Sequence, residues 1–310
     1  MNLMTSRPFK QVDVFTATPY FGNPLAVVLD GSGISDEAMQ RFARWTNLSE
    51  TTFVLPPTAE AKAAGADYRL RIFTPGGELP FAGHPTLGTC HAWLQAGGQP
   101  GAGAEIVQEC QIGLVKIRRD GARLAFAAPP LKRSAPGPAL LAQVAGALGL
   151  KASQIVAAQL LDNGPVWLSL LLDSVDTVLQ LQPNHLELKN LGHKVGVAGL
   201  VQTSSGAGLI SRSNREARAF GTAGATDTEP GLEVRAFAAS IDINEDPVTG
   251  SLNAGLAQWL IADGHAPKRY VAAQGACLGR AGRVHIEQDS TGQVWVGGES
   301  VTCVDGQLML

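Results

Sequence analysis

Apolar residues recur along this chain in two different periods, and the changes of period mark out its elements. Short apolar or alternating runs come first. Val12 to Phe15, Leu25 to Leu29, Thr51 to Leu55 and Tyr68 to Phe73 read as strands, with Gly22-Asn23-Pro24 as a turn between the first two. Between the second and third runs, Ser35 offers a cap and Asp36 and Glu37 follow it. Ala38, Met39, Phe42 and Trp45 then share one face, which predicts an amphipathic helix. A different helix opens at Gly83-His84 and ends near Gly97-Gly98. Its run Thr89-Cys90-His91-Ala92-Trp93-Leu94 carries no carboxylate, Lys or Arg, so it is apolar all round and belongs inside the protein. Strands are expected again around Ile112 to Arg118 and Arg123 to Ala127.

After Pro129-Pro130 and the loose segment Ser134 to Pro138, the pattern begins again. An Ala/Leu-rich helix is predicted from about Ala139 to Leu148. Asn163-Gly164-Pro165 then leads into Val166 to Asp173, much as Gly22-Asn23-Pro24 leads into Leu25 to Asp30. Val195 to Gln202 stands where Thr51 to Leu55 stood. Arg71-Ile72-Phe73 matches Arg235-Ala236-Phe237, and each is followed at nearly the same spacing by a turn, a Gly-containing helix start and a Trp-Leu pair, Trp93-Leu94 and Trp259-Leu260.

Two similar halves are therefore expected, residues 1–128 and 129–297, with a strand from 298–310 completing the first. The fold class is α+β: two pseudo-symmetric domains, each a curled, barrel-like sheet of mostly antiparallel or mixed pairing around a central apolar helix. The segment Ser211 to Gly231 departs from the repeat. No strand-Gly-helix pattern surrounds its glycines, so a surface loop or mobile hairpin is expected there rather than a phosphate-binding loop.

Composition narrows the function. At 310 residues, 45% hydrophobic and 16% charged, the chain is long enough for two cores and too apolar for disorder. Net charge is −3 and no Lys/Arg run exceeds Lys132-Arg133, so no nucleic-acid surface is expected. Gly164 to Leu172, the longest apolar stretch, is too short for a membrane span, and the first residues lack a signal-peptide core. Cys90, Cys110, Cys277 and Cys303 lie far apart without a C-x-x-C pair, which suits reduced thiols in a cytoplasmic protein and disfavours zinc. No G-x-G-x-x-G follows a strand, so a nicotinamide or flavin fingerprint is missing.

Candidate chemistry gathers at two turns. Phe81-Ala82-Gly83-His84-Pro85-Thr86 opens the first apolar helix, and Glu245-Asp246-Pro247-Val248-Thr249-Gly250-Ser251 opens the second, Leu252 to Leu260. Free N–H groups at two such ends, facing one cleft, would hold an anionic small molecule. Glu50, pressed against the apolar run Thr51 to Leu55, is placed to have a raised pKa and to carry a proton; a cap or surface ion pair is its plainer reading. His84 at a helix start is expected to be neutral, because the helix dipole opposes its protonation. Asp246 precedes a proline and reads equally as an N-cap. Gly250 permits a close approach of backbone to ligand, and Ser251 adds a hydroxyl.

Taken together, these residues resemble the phenazine-biosynthesis isomerases of the PhzF type, within the diaminopimelate-epimerase-like fold. The likeness runs nearly end to end. It includes Val12 to Thr16, Gly22 to Val28, Asn47 to Val54, Phe73-Thr74-Pro75, Glu78 to Gly88, Glu245 to Ser251, Gln274-Gly275 and Gly279-Arg280. The resemblance implies a site between two halves that needs neither cofactor nor metal, a small amino-acid-like anionic substrate, and a homodimer. The family's proton-carrying glutamate matches Glu50, and its histidine and aspartate partners match His84 and Asp246. Its substrate-holding glycines and serine match Gly83, Gly250 and Ser251. The reaction implied is a proton shift like the isomerisation of trans-2,3-dihydro-3-hydroxyanthranilate. An epimerase or racemase of an amino-acid derivative and a non-catalytic binding protein are the alternatives. Related racemases use a cysteine at each helix start, where this chain has Ala82-Gly83-His84 and Asp246-Pro247. The chain also departs from the family at Ala238-Ala239, where a proline is common.

Overall fold

The computed structural model describes residues 5–101, 105–201 and 229–310, and within them the strands join into one 18-stranded network wrapped round two helices. In the first half, β1 (Ser6–Val14), β2 (Asn23–Val28), β3 (Glu50–Leu55), β4 (Tyr68–Phe73), β5 (Glu78–Leu79), β6 (Glu105–Cys110), β7 (Gly113–Asp120) and β8 (Arg123–Ala127) follow in order. α1 (Asp36–Thr46) and α2 (Ala59–Ala63) lie outside, and α3 (Gly83–Gln95) is the central helix. The second half contains β9 (Lys132–Ser134), β10 (Ile155–Asp162), β11 (Val166–Leu172), β12 (Lys194–Leu200), β13 (Leu232–Ala238), β14 (Ile243–Asp246), β15 (Arg269–Gln274), β16 (Gly282–Gln288) and β17 (Val294–Gly298). Its helices are α4 (Pro138–Leu148), α5 (Val175–Gln180), α6 (His185–Leu191) and the central α7 (Gly250–Ala262). The last strand, β18 (Ser300–Met309), returns to lie antiparallel beside β1.

The repeat seen in the sequence is a repeat of pairing. β1–β2 is antiparallel, β2–β3 parallel, β3–β4 antiparallel, β4–β6 parallel, and β6–β7–β8 antiparallel. β10–β11, β11–β12, β12–β13, β13–β15 and β15–β16–β17 repeat that series of directions. The halves are stitched by β8 against β17, antiparallel, with Val296 opposite Phe126.

Helices without a polar face end up inside each curl. Gly83 to Cys90 of α3 and Gly250 to Ala257 of α7 are all buried. The packing is close enough to demand glycine. A Cβ on Gly88 would lie 2.7 Å from side-chain atoms of both Val14 and Leu25, so α3 rests directly on β1 and β2. Where polar atoms enter this core they pair, as Thr52 Oγ1 does with Thr89 Oγ1 at 2.9 Å.

Some details depart from what the sequence pattern predicts. α1 starts as expected, with Ser35 accepting from the Ala38 N–H, but Trp45 at its far end is 79% exposed and stacks on Phe42 instead of entering the core. The strand Glu105–Cys110 has no clear signal in the pattern, because its outward positions are glutamates and valine and its apolar content is thin. Most of Ser211 to Gly231 lies outside the described residues. No helix among the described residues is long and apolar enough to cross a membrane.

Candidate active site

The two central helices meet head to head. A Cβ on Gly83 would come within 2.9 Å of the Gly250 Cα, and one on Gly250 within 2.8 Å of the Gly83 Cα. Only two glycines allow that approach. Neither helix has a side-chain cap, and Pro85 removes one N–H from the first turn of α3. Unpaired first-turn N–H groups from both halves are thereby concentrated at one point, which attracts a carboxylate.

Beside this point lies a cavity of about 210 Å³ whose wall includes Glu50, Trp167, Lys194, Ala238, Asp246 and Ser251. A larger groove of about 320 Å³ opens at the β8–β17 seam. Its carboxylates, Asp120, Glu229 and Glu287, are exposed, so acid/base chemistry is favoured in the smaller cavity.

Glu50 is the first residue of β3, held there by its parallel pairing with Leu25. Its Oε2 lies 3.4 Å from His84 Nε2, with both side chains almost withdrawn from solvent. Neither atom has a hydrogen-bond partner among the described residues, so the two face each other as a close approach rather than a formed hydrogen bond. Burial, and then the nearby Asp246 charge, push Glu50 well above the usual carboxylate range, while Lys194 pulls the other way. Burial holds His84 down at about 3. The ring is therefore neutral, as expected, and burial alone suffices for it. Its Nδ1 lies 3.4 Å from the Asn23 amide nitrogen, whose two protons go to Asp246 Oδ1 and the Val248 carbonyl, so a donor group faces Nδ1 and favours the tautomer with the ring proton on Nε2.

Asp246 ends β14. Its Oδ1 accepts from Asn23 Nδ2 at 2.9 Å and its Oδ2 from Thr249 Oγ1 at 2.5 Å. Burial raises its pKa, while Thr249, Asn23 and Lys194 oppose the rise. Gln274 braces the same turn: its Oε1 accepts from the Thr249 N–H and from Asn253 Nδ2, and its Nε2 donates to the Asp246 carbonyl and to Thr249 Oγ1. Ser251 Oγ accepts from the Trp167 indole at 3.1 Å.

The six residues singled out from the sequence thus converge, in three layers. Glu50, Asp246 and Ser251 form cavity wall. Gly83 and Gly250 make the helix-to-helix contact. His84 stands behind Glu50, where it is placed to orient the carboxyl group. Sequence reasoning passed over Asn23, which ties Asp246 to the Val248 carbonyl, as well as Gln274 and Lys194. Asn23 sits in its sequence motif as a turn residue, and its amide crosses to Asp246 and Val248 only when the halves come together, whereas Gln274 finds its partners within the second half once β15 lies beside the α7 turn. Cys90 is fully buried and its thiol is pushed up to about 12 by burial, so it offers no thiolate. No group of three or more potential metal ligands occurs among the described residues.

A doubled sheet-around-helix fold with a cleft at the joined helix ends defines the diaminopimelate-epimerase-like class. Within it, residues 12–306 match the family model described as phenazine biosynthesis-like protein, and the chain belongs to that PhzC-PhzF family. It is 35% identical over 318 residues to "Antisense-enhancing sequence 1" of Schizosaccharomyces pombe, covering 98% of this chain and 99% of that protein. It is 32% identical over 313 residues to trans-2,3-dihydro-3-hydroxyanthranilate isomerase of Pseudomonas aeruginosa, covering 96% and 98%. Among solved structures, the PhzF-family protein of Bacillus anthracis superposes with a TM-score of 0.78 at 21% identity, covering 99% of this chain and all of that one.

Proposed function

We propose that this protein is an isomerase that moves a proton within a small amino-acid-like carboxylate, with Glu50 as the proton carrier. The observation that carries this reading is Glu50 on the wall of a small cavity beside two uncapped helix ends, with buried His84 3.4 Å behind it. The substrate carboxylate rests on the N–H groups near Gly83 and Gly250, where the helix dipoles add to the hydrogen bonds. Asp246 and Ser251 face the amino or hydroxyl groups of the substrate. In ionised form, Glu50 takes a proton from carbon. The electron pair left behind shifts along the adjacent unsaturation, and Glu50 returns the same proton to a second carbon of the same molecule. Substrate and product therefore have the same formula. His84, neutral and with Nε2–H toward Glu50, steadies the carboxylate while it is charged. The confined cavity limits exchange of the carried proton with water.

The name of the Pseudomonas aeruginosa relative supports trans-2,3-dihydro-3-hydroxyanthranilate as the first compound to try. Turnover would be followed by NMR in deuterated buffer. The expected result is an isomerised product with less than one deuterium per molecule, and a fall of about 10²–10⁴-fold in Glu50→Gln, the usual contribution of a general base. Full turnover by Glu50→Gln on a confirmed substrate would end the assignment. Complete deuterium exchange with inversion at one carbon would instead indicate an epimerase.

A further inference from the structure

The strand registers of the two halves put Lys194 in the place of Glu50. In the first half, Leu25 pairs with Glu50 across the parallel β2–β3 ladder, and the next residue, Thr51, faces Phe73 across β3–β4. In the second half, Trp167 pairs with Lys194 across the parallel β11–β12 ladder, and the next residue, Val195, faces Phe237 across β12–β13. Arg71 and Arg235 hold matching positions two residues before those phenylalanines and face Phe53 and Val197. Glu50 and Lys194 are thus each the first residue of equivalent strands, and both line the same cavity.

The surroundings of the two residues differ. Glu50 has His84 beside it. The Lys194 ammonium lies 5.8 Å from the centre of the Trp167 ring, whose indole N–H is taken by Ser251 Oγ at the start of α7. Among the described residues no carboxylate oxygen comes within ion-pair distance of Lys194; it feels Glu50 and Asp246 only through longer-range attraction. A half-buried cation, supported by an aromatic face and not consumed by a direct partner, is a ready contact for an anion entering the cavity.

We propose that Lys194 is the counterpart of Glu50 in the second half and the cation that holds the acid group of the substrate, beside the α7 terminus, leaving proton transfer to Glu50. This rests on the reading of the cavity as an acid-binding isomerase site, and it adds the residue by which that site selects acids. Duplication supplied two equivalent positions on the wall, one now occupied by the proton carrier and the other by a fixed charge.

The test needs no turnover. Wild type, Lys194→Met, Lys194→Arg and Glu50→Gln are titrated calorimetrically near neutral pH with two matched probes, anthranilate and its neutral amide, after thermal unfolding has shown that each variant is folded. Lys194→Gln replaces Lys194→Met if the latter does not fold. Wild type is expected to prefer the acid by about tenfold or more, the usual worth of a hydrogen bond to a charged group. That preference should fall by about tenfold in Lys194→Met with amide binding unchanged, any remainder being held by the N–H groups of the two helix ends. It should persist in Lys194→Arg, which keeps the charge but cannot release a proton at this pH. Glu50→Gln should also retain it, so a failure of Glu50 as proton carrier leaves this result standing. A preference that is undiminished in Lys194→Met, that is lost in folded Lys194→Arg, or that is missing from wild type overturns the proposal.

Discussion

Gly250→Ala is the sharpest test of the head-to-head helix contact. The new Cβ would meet the Gly83 Cα at 2.8 Å, the Gly83 carbonyl carbon at 3.1 Å and the His84 nitrogen at 3.1 Å. All three are backbone atoms, so no side chain can swing away. Ordinary carbon–carbon contact is about 3.5–4.0 Å, so α3 and α7 must part by roughly 0.7–1.2 Å. Overpacking of this kind costs about 1–3 kcal/mol. A displacement of about 1 Å at a reacting centre can cost on the order of 10²-fold in rate. Gly146→Ala is the control. Gly146 lies in α4 with nothing within 4 Å of its would-be Cβ, so the same substitution there should stabilise by about 0.5–1 kcal/mol through helix propensity alone. Urea unfolding gives both stabilities, and turnover or calorimetric anthranilate binding reads the site. If Gly250→Ala matches wild type in stability and in site function, the argument that two glycines are required at this contact is wrong.

Two further outcomes follow from buried charge. The Arg235–Glu245 pair is double-toothed and nearly solvent-free, and Arg235 also donates to the Val178 and Leu181 carbonyls. Arg235→Met should therefore cost about 3–5 kcal/mol in urea unfolding, whereas Lys189→Met, which breaks the exposed Lys189–Asp242 pair, should cost no more than about 1 kcal/mol. Burial raises Glu50 above its ordinary 4.5 in the folded state, so the folded protein holds that proton more tightly than the unfolded chain. The resulting stability is complete below the ordinary value and is lost as pH rises through the raised one; Glu50→Gln should thus gain on wild type with increasing pH in urea unfolding, and a constant difference would contradict the raised value. His84 acts in the opposite sense, since its depressed value contributes stability above 6.5 that is lost as pH falls toward 3.

Much of the site is legible in the amino-acid sequence. Gly83, His84, Gly250 and Ser251 stand out because a helix that starts without a cap and runs on without charge must be buried and must leave its first N–H groups for something else. Lys194 is open to the same reasoning. Aligning Val195 to Gln202 with Thr51 to Leu55 already sets the lysine opposite Glu50, but a single lysine at the start of a strand reads as a solvated charge until the other half closes over it. His84 is legible in the sequence as the start of a helix and as a neutral ring, but only the fold shows that ring buried and lying 3.4 Å from Glu50.

The amino-acid sequence alone determined the duplicated order of strands and helices and the apolar character of both central helices, since these depend on period, spacing and composition along the chain. It also marked the two glycine turns. Only the tertiary structure decided that those turns touch, that Asn23 crosses to Asp246, and that Glu50, Lys194 and Asp246 share one small cavity. Those facts depend on distances between residues far apart in the chain and on how completely water is excluded from them. Both are properties of the closed pair of halves, and neither half has them by itself.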